Sequence, residues 1–246
     1  MKLTNTATVL MMCLMITMGT FAEEGSLPEF EARYDVFRGG VKIAQMQRSV
    51  NRQDDGRLIY RSETNVTGLV SMFRKDRIIE QSIWQYTDGQ VIPQFYEYQH
   101  TGTSKGRNVT IEFDWTNKLI TNSVNGDPWR MPTSEGILDK LLYQYSIMLD
   151  MQAGKSSLRY TVADGGMEKV YLFEKLGEEV VETPLGNLKT IKMRRHRPDS
   201  DRESIFWAAP DLGYLPIKLE NIDDGVKTVV IIKSLTGYGF DNVTQK

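Results

Sequence analysis

Apolar and polar residues alternate with period two along most of this chain, the spacing that places successive side chains on opposite faces of a β-strand. Phe30, Ala32, Tyr34 and Val36 share one face of a first stretch, Arg38-Gly39-Gly40 turns the chain, and 41–52 returns. Asp54-Asp55-Gly56 supplies the next turn, because Gly and Asp tolerate the positive φ that tight turns require. Leu58, Tyr60, Ser62, Thr64 and Val66 then resume the alternation. Turn signals at Asp88-Gly89, Gly102 to Gly106, Asn125-Gly126, Asp164-Gly165-Gly166 and Asp223-Asp224-Gly225 punctuate the rest. Between them the pattern predicts strands over 75–86, 91–101, 107–115, 118–124, 158–163, 168–176, 178–182, 187–197, 202–208, 215–222 and 226–235. Even spacing with hairpin-length connections means an antiparallel meander. A flat sheet of this size would leave long bare edges, so the expected fold is mostly β, a meander curved into a closed or half-open barrel.

One segment breaks the rhythm. Ile137, Leu138, Leu141, Leu142, Tyr145, Met148 and Leu149 recur at helical spacing, with Asp139, Lys140, Gln144 and Asp150 on the other side. This predicts a single amphipathic helix over about 135–152. Thr133 or Ser134 would cap its start, Glu135 would complement its dipole and Gly154 would end it. At ~1.5 Å per residue it would run roughly 27 Å, enough to cross a barrel mouth as a lid or to fill the hollow as a plug.

The first 22 residues follow a different logic. Lys2, an apolar run from Ala7 to Met18 and then Thr20-Phe21-Ala22 form the pattern of an export signal cleaved after Ala22. The run is shorter than a bilayer span needs. Cys13 is preceded by Met12 rather than a small residue, which argues against lipidation. The expectation is a leader at 1–22 and one β-rich domain at 23–246, soluble in the periplasm, with no transmembrane span in the mature chain. Cleavage would remove the chain's one cysteine and with it disulfides, thiolate metal sites and cysteine catalysis. The 30 basic residues less Lys2 then face 32 acidic ones, a net charge near −3. That balance argues against nucleic acid and against an anionic membrane surface held by charge alone.

Candidate chemistry is sparse. His100 and His196 have no companion at metal-ligand spacing, and no nucleophile elbow, phosphate loop or dinucleotide fingerprint occurs. No metal or cofactor is expected. Glu178-Glu179 and Asp223-Asp224 are neighbours in sequence, whereas a working acid and base must face one cleft. Arg194-Arg195-His196-Arg197 could hold a phosphate or carboxylate. Adjacent strand residues point to opposite faces, however, so a solvated strand end screened by Asp199, Asp201 and Glu203 is the simpler reading. Asp211 is expected to accept hydrogen bonds from its own loop. The Asn65, Asn108 and Asn242 acceptor patterns for glycosylation would stay bare in a bacterial chain. Aromatics are more suggestive: Phe95 lies on one face of 91–101 and Tyr96, Tyr98 and His100 on the other, with Trp84, Tyr86, Trp115 and Trp207 on further strands. Apolar bulk on both faces marks strands that meet a core on one side and a helix, ligand or partner on the other.

Thr183-Pro184-Leu185-Gly186, and Phe206-Trp207-Ala208-Ala209-Pro210-Asp211 leading to Leu215-Pro216-Ile217-Lys218-Leu219, resemble the bacterial domain-of-unknown-function family 3108 over about 30–235. Local physics accounts for much of these motifs, since Pro184 and Gly186 fit a turn and Pro216 a strand start. The resemblance implies an envelope location and a largely β fold, and says nothing of activity, since the family has no agreed one. The architecture is also similar to periplasmic lipoprotein carriers, by analogy of layout alone. Three functions follow as expectations. The first is a non-enzymatic binder of a lipid or other apolar or amphiphilic envelope ligand, in a cavity lined by Tyr145, Met148, Tyr96, Trp84 and Trp207. The second is an envelope protein-protein interaction or assembly module with a filled core. The third, an unfamiliar hydrolase, would require convergent carboxylates or a histidine cluster.

Overall fold

The computed structural model describes residues 29–103, 106–196, 203–223 and 225–237. The leader with its cleavage position and Cys13 lies outside the described residues, as do Arg197, Asp199, Asp201, Asp224 and the Asn242 acceptor pattern. The strands are β1 (Phe30–Arg38), β2 (Val41–Arg52), β3 (Leu58–Val66), β4 (Arg77–Thr87), β5 (Gln90–Thr101), β6 (Arg107–Asp114), β7 (Leu119–Val124) and β8 (Asp127–Pro132). After the helix α1 (Leu142–Gln152) come β9 (Leu158–Asp164), β10 (Met167–Thr183), β11 (Gly186–His196), β12 (Glu203–Ala209), β13 (Leu215–Asp223) and β14 (Val226–Thr236).

All fourteen strands form one antiparallel sheet, in the order β8-β7-β6-β5-β4-β3-β2-β1-β14-β13-β12-β11-β10-β9. Every neighbour pair but one is also consecutive in sequence. The exception is β1 with β14, which joins the two halves. Turn chemistry fixes the hairpins: Asp88 and Gly89, and Asn125 and Gly126, all take positive φ, as two-residue primed turns demand. Residue alternation then carries one face across the first half. Val50, Tyr60, Ser82, Tyr96, Ile111, Asn122 and Trp129 stand opposite one another in succession from β2 to β8.

The sheet is not closed by a ladder between its edge strands β8 and β9. A narrow seam brings the two edges together instead. Leu138 donates its N–H to the Thr161 carbonyl (2.9 Å) and accepts from the Ala163 N–H (2.8 Å), while Trp129 Nε1 donates to the Gly166 carbonyl (3.3 Å). A Cβ on Gly166, whose φ is +79°, would collide with the Trp129 ring, so only glycine fits beneath it.

Three expectations need correction. The helix starts at Leu142, not near Glu135, and spans ~16 Å. Gly136 at φ +69° turns the chain, and Leu138 is spent on the seam. Neither Thr133 nor Ser134 caps the helix. Asp139 does: its Oδ1 accepts from the Leu141 and Leu142 N–H groups, both at 2.8 Å. Segments 168–176 and 178–182 are one strand, β10, with a register shift between Lys175 and Gly177 opposite β11. Strand β8 escapes the pattern reading altogether. No helix among the described residues is long and apolar enough to cross a membrane.

Helix α1 plugs the hollow of the curved sheet. Leu142, Tyr145, Ser146, Ile147, Met148 and Met151 are buried on it, so it is enclosed on more than the single stripe its spacing suggested. Aromatic contacts tie it to both halves: Tyr145 meets Tyr60 and Trp84, with centroids at 6.1 and 5.0 Å, and Tyr143 meets Tyr171 and Phe173 at 5.0 and 5.8 Å. Gly154 ends it in a left-handed conformation, as expected.

Candidate functional site

On β2 the buried positions are Ala44, Met46, Arg48 and Val50. Three are apolar and the fourth is a guanidinium, 8% exposed, 5.9 Å above the Tyr34 ring, its Nε buried without a hydrogen-bond partner. Among the described residues Arg48 makes no ion pair; the Tyr60 hydroxyl accepts a hydrogen bond from it, and Tyr60, Tyr34 and the more distant Glu80 favour its charge. A buried cation without a counter-charge costs several kcal/mol, and arginine cannot lower that cost by losing its proton. Arg48 opens onto a cavity of about 190 Å³ between α1 and the second half of the sheet. Ile147, Phe173, Phe206 and Leu219 give it apolar walls, and Arg195 places a second guanidinium in it, stacked 3.9 Å over Tyr171. Phe173, Arg195, Ser204 and Asn221 form one cross-strand row at its polar side. Arg194, one residue away, points out to Glu203 (3.2 Å). The arginine cluster therefore divides between faces, as strand geometry requires.

A second cavity of about 250 Å³ lies at the seam, lined by Tyr96, Tyr98, Asn122, Trp129, Lys140 and Asp164 among others. Asn122 is 1% exposed and neither amide atom of its side chain has a partner. Asp164 is held below the ordinary carboxylate range: burial pushes it up, and Lys169, Lys140 and the Tyr171 hydroxyl outweigh that.

The sequence-predicted residues are brought together in part. Trp84, Tyr96, Tyr145 and Met148 are all at most 2% exposed in one core, and Tyr96 also reaches the seam cavity, its hydroxyl bonded to Glu80 (2.7 Å). Trp207 is 2% exposed and belongs to the same buried cluster, but its ring has different neighbours. It faces away from Phe206 by strand alternation and lies between Lys192 and Lys218, whose ammonium groups are 5.0 and 4.2 Å from its ring centroid. Asp139, expected on the solvent side of the helix, is fully buried, and its second oxygen, Oδ2, has no partner. Burial pushes its pKa up to about 7, against the pull of the two N–H donors and of the Ser82 hydroxyl (2.8 Å), with nearby Glu80 adding to the rise. Arg48 and Asn122 were missed by sequence reasoning, although both interrupt an apolar face at period two.

His100 pairs with Asp76 (3.1 Å), and among the described residues no three His, Cys, Asp or Glu side chains gather to hold a metal ion. Thr183-Pro184-Leu185-Gly186 is the β10–β11 turn. The Thr183 hydroxyl donates to the Gly186 carbonyl (2.9 Å) and accepts from the Leu185 N–H (3.1 Å).

A wide antiparallel sheet wrapped round one helix, with the buried Arg48 and the half-buried Arg195 at an internal cavity, defines a β-barrel-like single-sheet protein. The chain belongs to the family of proteins of unknown function DUF3108, whose model matches residues 29–231. No curated protein matches it in sequence. Among solved structures, a β-barrel-like protein of the domain of unknown function DUF1849 from Brucella abortus is similar with a TM-score of 0.53 at 8% identity, over 86% of this chain and 98% of that one. That likeness is one of fold. MucB in complex with MucA(peri) (10% identity) and the MucA/MucB complex of Pseudomonas aeruginosa (8%) each cover 86% of this chain and 94% of theirs, with TM-scores of 0.16. At that score neither bears on fold or function.

Proposed function

We propose that this is an exported, periplasmic, non-enzymatic protein that binds a small anionic amphiphile in the cavity between α1 and β10–β13. The observation that carries the reading is Arg48, a buried guanidinium without an ion pair, at the wall of a cavity with one apolar and one polar side. A carboxylate or phosphate head group would supply the missing charge, and with Arg195 two planar forks are available to it. The volume equals that of roughly six water molecules, which suits a head group and its first few carbons, with the remaining chain lying along the apolar wall. The leader pattern supports export.

A carboxylate-headed fluorescent amphiphile and its neutral alcohol counterpart separate this from other readings. The acid should bind the parent protein, and Arg48→Met should weaken it at least about tenfold while leaving the alcohol unchanged. Equal binding of the acid by Arg48→Met, or none by the parent, would count against the proposal. The second reading, an interaction module, is favoured by one observation: Trp84, Tyr145 and Met148 are fully buried and line neither cavity described above. It gains if neither probe binds.

A further inference from the structure

The connection from β3 to β4 ends in an apolar knob. Gly68–Met72 forms a 3-10 turn with no buried residue, and Leu69, Met72 and Phe73 are 80%, 74% and 86% exposed. The backbone beneath them is not slack. Thr67 N–H donates to the Ile43 carbonyl (3.0 Å), Val66 N–H to that of Asp76 (3.3 Å), and Phe73 and Arg74 N–H groups to that of Val70 (3.1 and 2.9 Å). Gly102, just past β5, lies directly against the Lys75 carbonyl, where any Cβ would clash. A tied base therefore presents three large apolar side chains to solvent, an arrangement that soluble monomers rarely keep without use.

Charge identifies what covers it. The skirt of the knob carries Arg74, Lys75 and Arg77 against Glu63 and Asp76, and both carboxylates are already engaged, Glu63 by Arg77 and the more distant Arg61, and Asp76 by Arg74 and His100. The overall acidic balance is thus locally reversed. Size narrows the partner further. Three side chains bury roughly 500 Å², short of the ~800 Å² per side of a stable protein interface, whereas a bilayer accepts an isolated apolar knob ringed by cations. We propose that Leu69, Met72 and Phe73 insert into a membrane surface rich in anionic lipid, with Arg74 and Lys75 at the head groups. Register places this knob at the sheet end where β11 and β13 finish and β12 begins, the end at which Arg195, Ser204 and Asn221 flank the amphiphile cavity. The two proposals stand on different residues.

The test is co-sedimentation of the full protein with vesicles of phosphatidylglycerol and phosphatidylethanolamine, and with neutral phosphatidylcholine vesicles. Leu69→Ser/Met72→Ser/Phe73→Ser should cut binding to the anionic vesicles at least about tenfold, with an unchanged thermal melt because none of the three is packed. Arg74→Glu/Lys75→Glu should weaken binding to anionic vesicles and not to neutral ones. If the triple variant is poorly folded, Phe73→Ser alone replaces it. A parent protein that ignores both vesicles overturns the proposal. So does a triple variant that binds like the parent, which would assign binding to another segment, the apolar leader included. A parent that instead self-associates or captures a protein through Leu69, Met72 and Phe73 overturns it as well.

Discussion

Asp139 and Arg48 are both buried ionisable groups, one at the start of α1 and the other at the cavity beside it, and they are treated in opposite ways. Asp139 sits among Ser82, Trp84 and the start of α1, receives three donors at 2.8 Å, and can shed its charge, with a pKa pushed up to about 7. Arg48 sits among Ala44, Met46, Tyr34 and Tyr60, has no ion pair among the described residues, and keeps its charge at any ordinary pH. The first region is solved internally by hydrogen bonds and close aromatic packing. The second relies on tyrosine rings and hydroxyls and on the more distant Glu80 in place of an ion pair. On the proposed function, that contrast marks the first as a site of stability and the second as a site open to an anionic ligand.

The comparison can be broken most directly at the filled region. Trp84→Ala removes a ring in contact with Tyr145 and should cost about 5 kcal/mol in urea melts. A loss below about 2 kcal/mol would mean that this core is loose and that the contrast with the Arg48 cavity is false. Asp139 provides the next effect. Its folded pKa lies above the unfolded value of 3.8, so its favourable contribution is full below pH ~4, is lost as pH rises through about 7, and is flat above that. The fall corresponds to on the order of 4 kcal/mol. Asp139→Asn keeps an acceptor for the helix start and should flatten that leg of the stability-pH curve; an unchanged slope would assign it to other groups such as Glu80.

Gly166→Ala tests the seam. The added methyl meets the Trp129 ring at a positive φ, so a loss of about 2 kcal/mol is expected, with local exposure of the Leu138 and Ala163 amides in hydrogen exchange. Full protection of both would detach the seam from Gly166. Arg48→Met sharpens the comparison from the other side. Replacing a buried cation that has no ion pair by an apolar side chain should leave stability within about 1 kcal/mol even as it weakens the acidic probe, and a larger loss would make Arg48 structural. The smallest change belongs to the knob: Phe73→Ser should shift stability by less than about 0.5 kcal/mol.

Much of the sheet was legible because its information is local. Asp88-Gly89 and Asn125-Gly126 specify their turns within two residues, and Phe30 to Val36 or Leu58 to Val66 specify a buried face by period alone. The failures share a cause, which is that a distant partner overrode the local signal. Ile137 and Leu138 have helical spacing, yet Leu138 pairs with β9. Gly177 reads as a break, yet β11 holds the chain extended through it. Asp127–Pro132 has prolines at two of six positions, and it is a strand because an edge needs fewer donors. Of the candidate site, the burial of Trp84, Tyr96, Tyr145 and Trp207 was readable, though none of them lines the Arg48 cavity, whereas Arg48 and Asp139 look like ordinary surface charges until the neighbours of each are known.

The pairing of β1 with β14 sets an order of events for folding. From β1 to β8 each strand finds a partner a few residues away, and so does each strand from β9 to β14, so either half can zip by short loop closures. The ladder from Glu31–Thr236 to Arg38–Thr228 joins residues almost the whole described chain apart, the slowest kind of contact to find. As the chain emerges from its N-terminus, the outer edge of β1 is expected to wait unpaired until β14 has been made. The middle of the finished sheet is thus the last place to form, and the intermediate most prone to pairing with the wrong chain is one that already carries eight native strands.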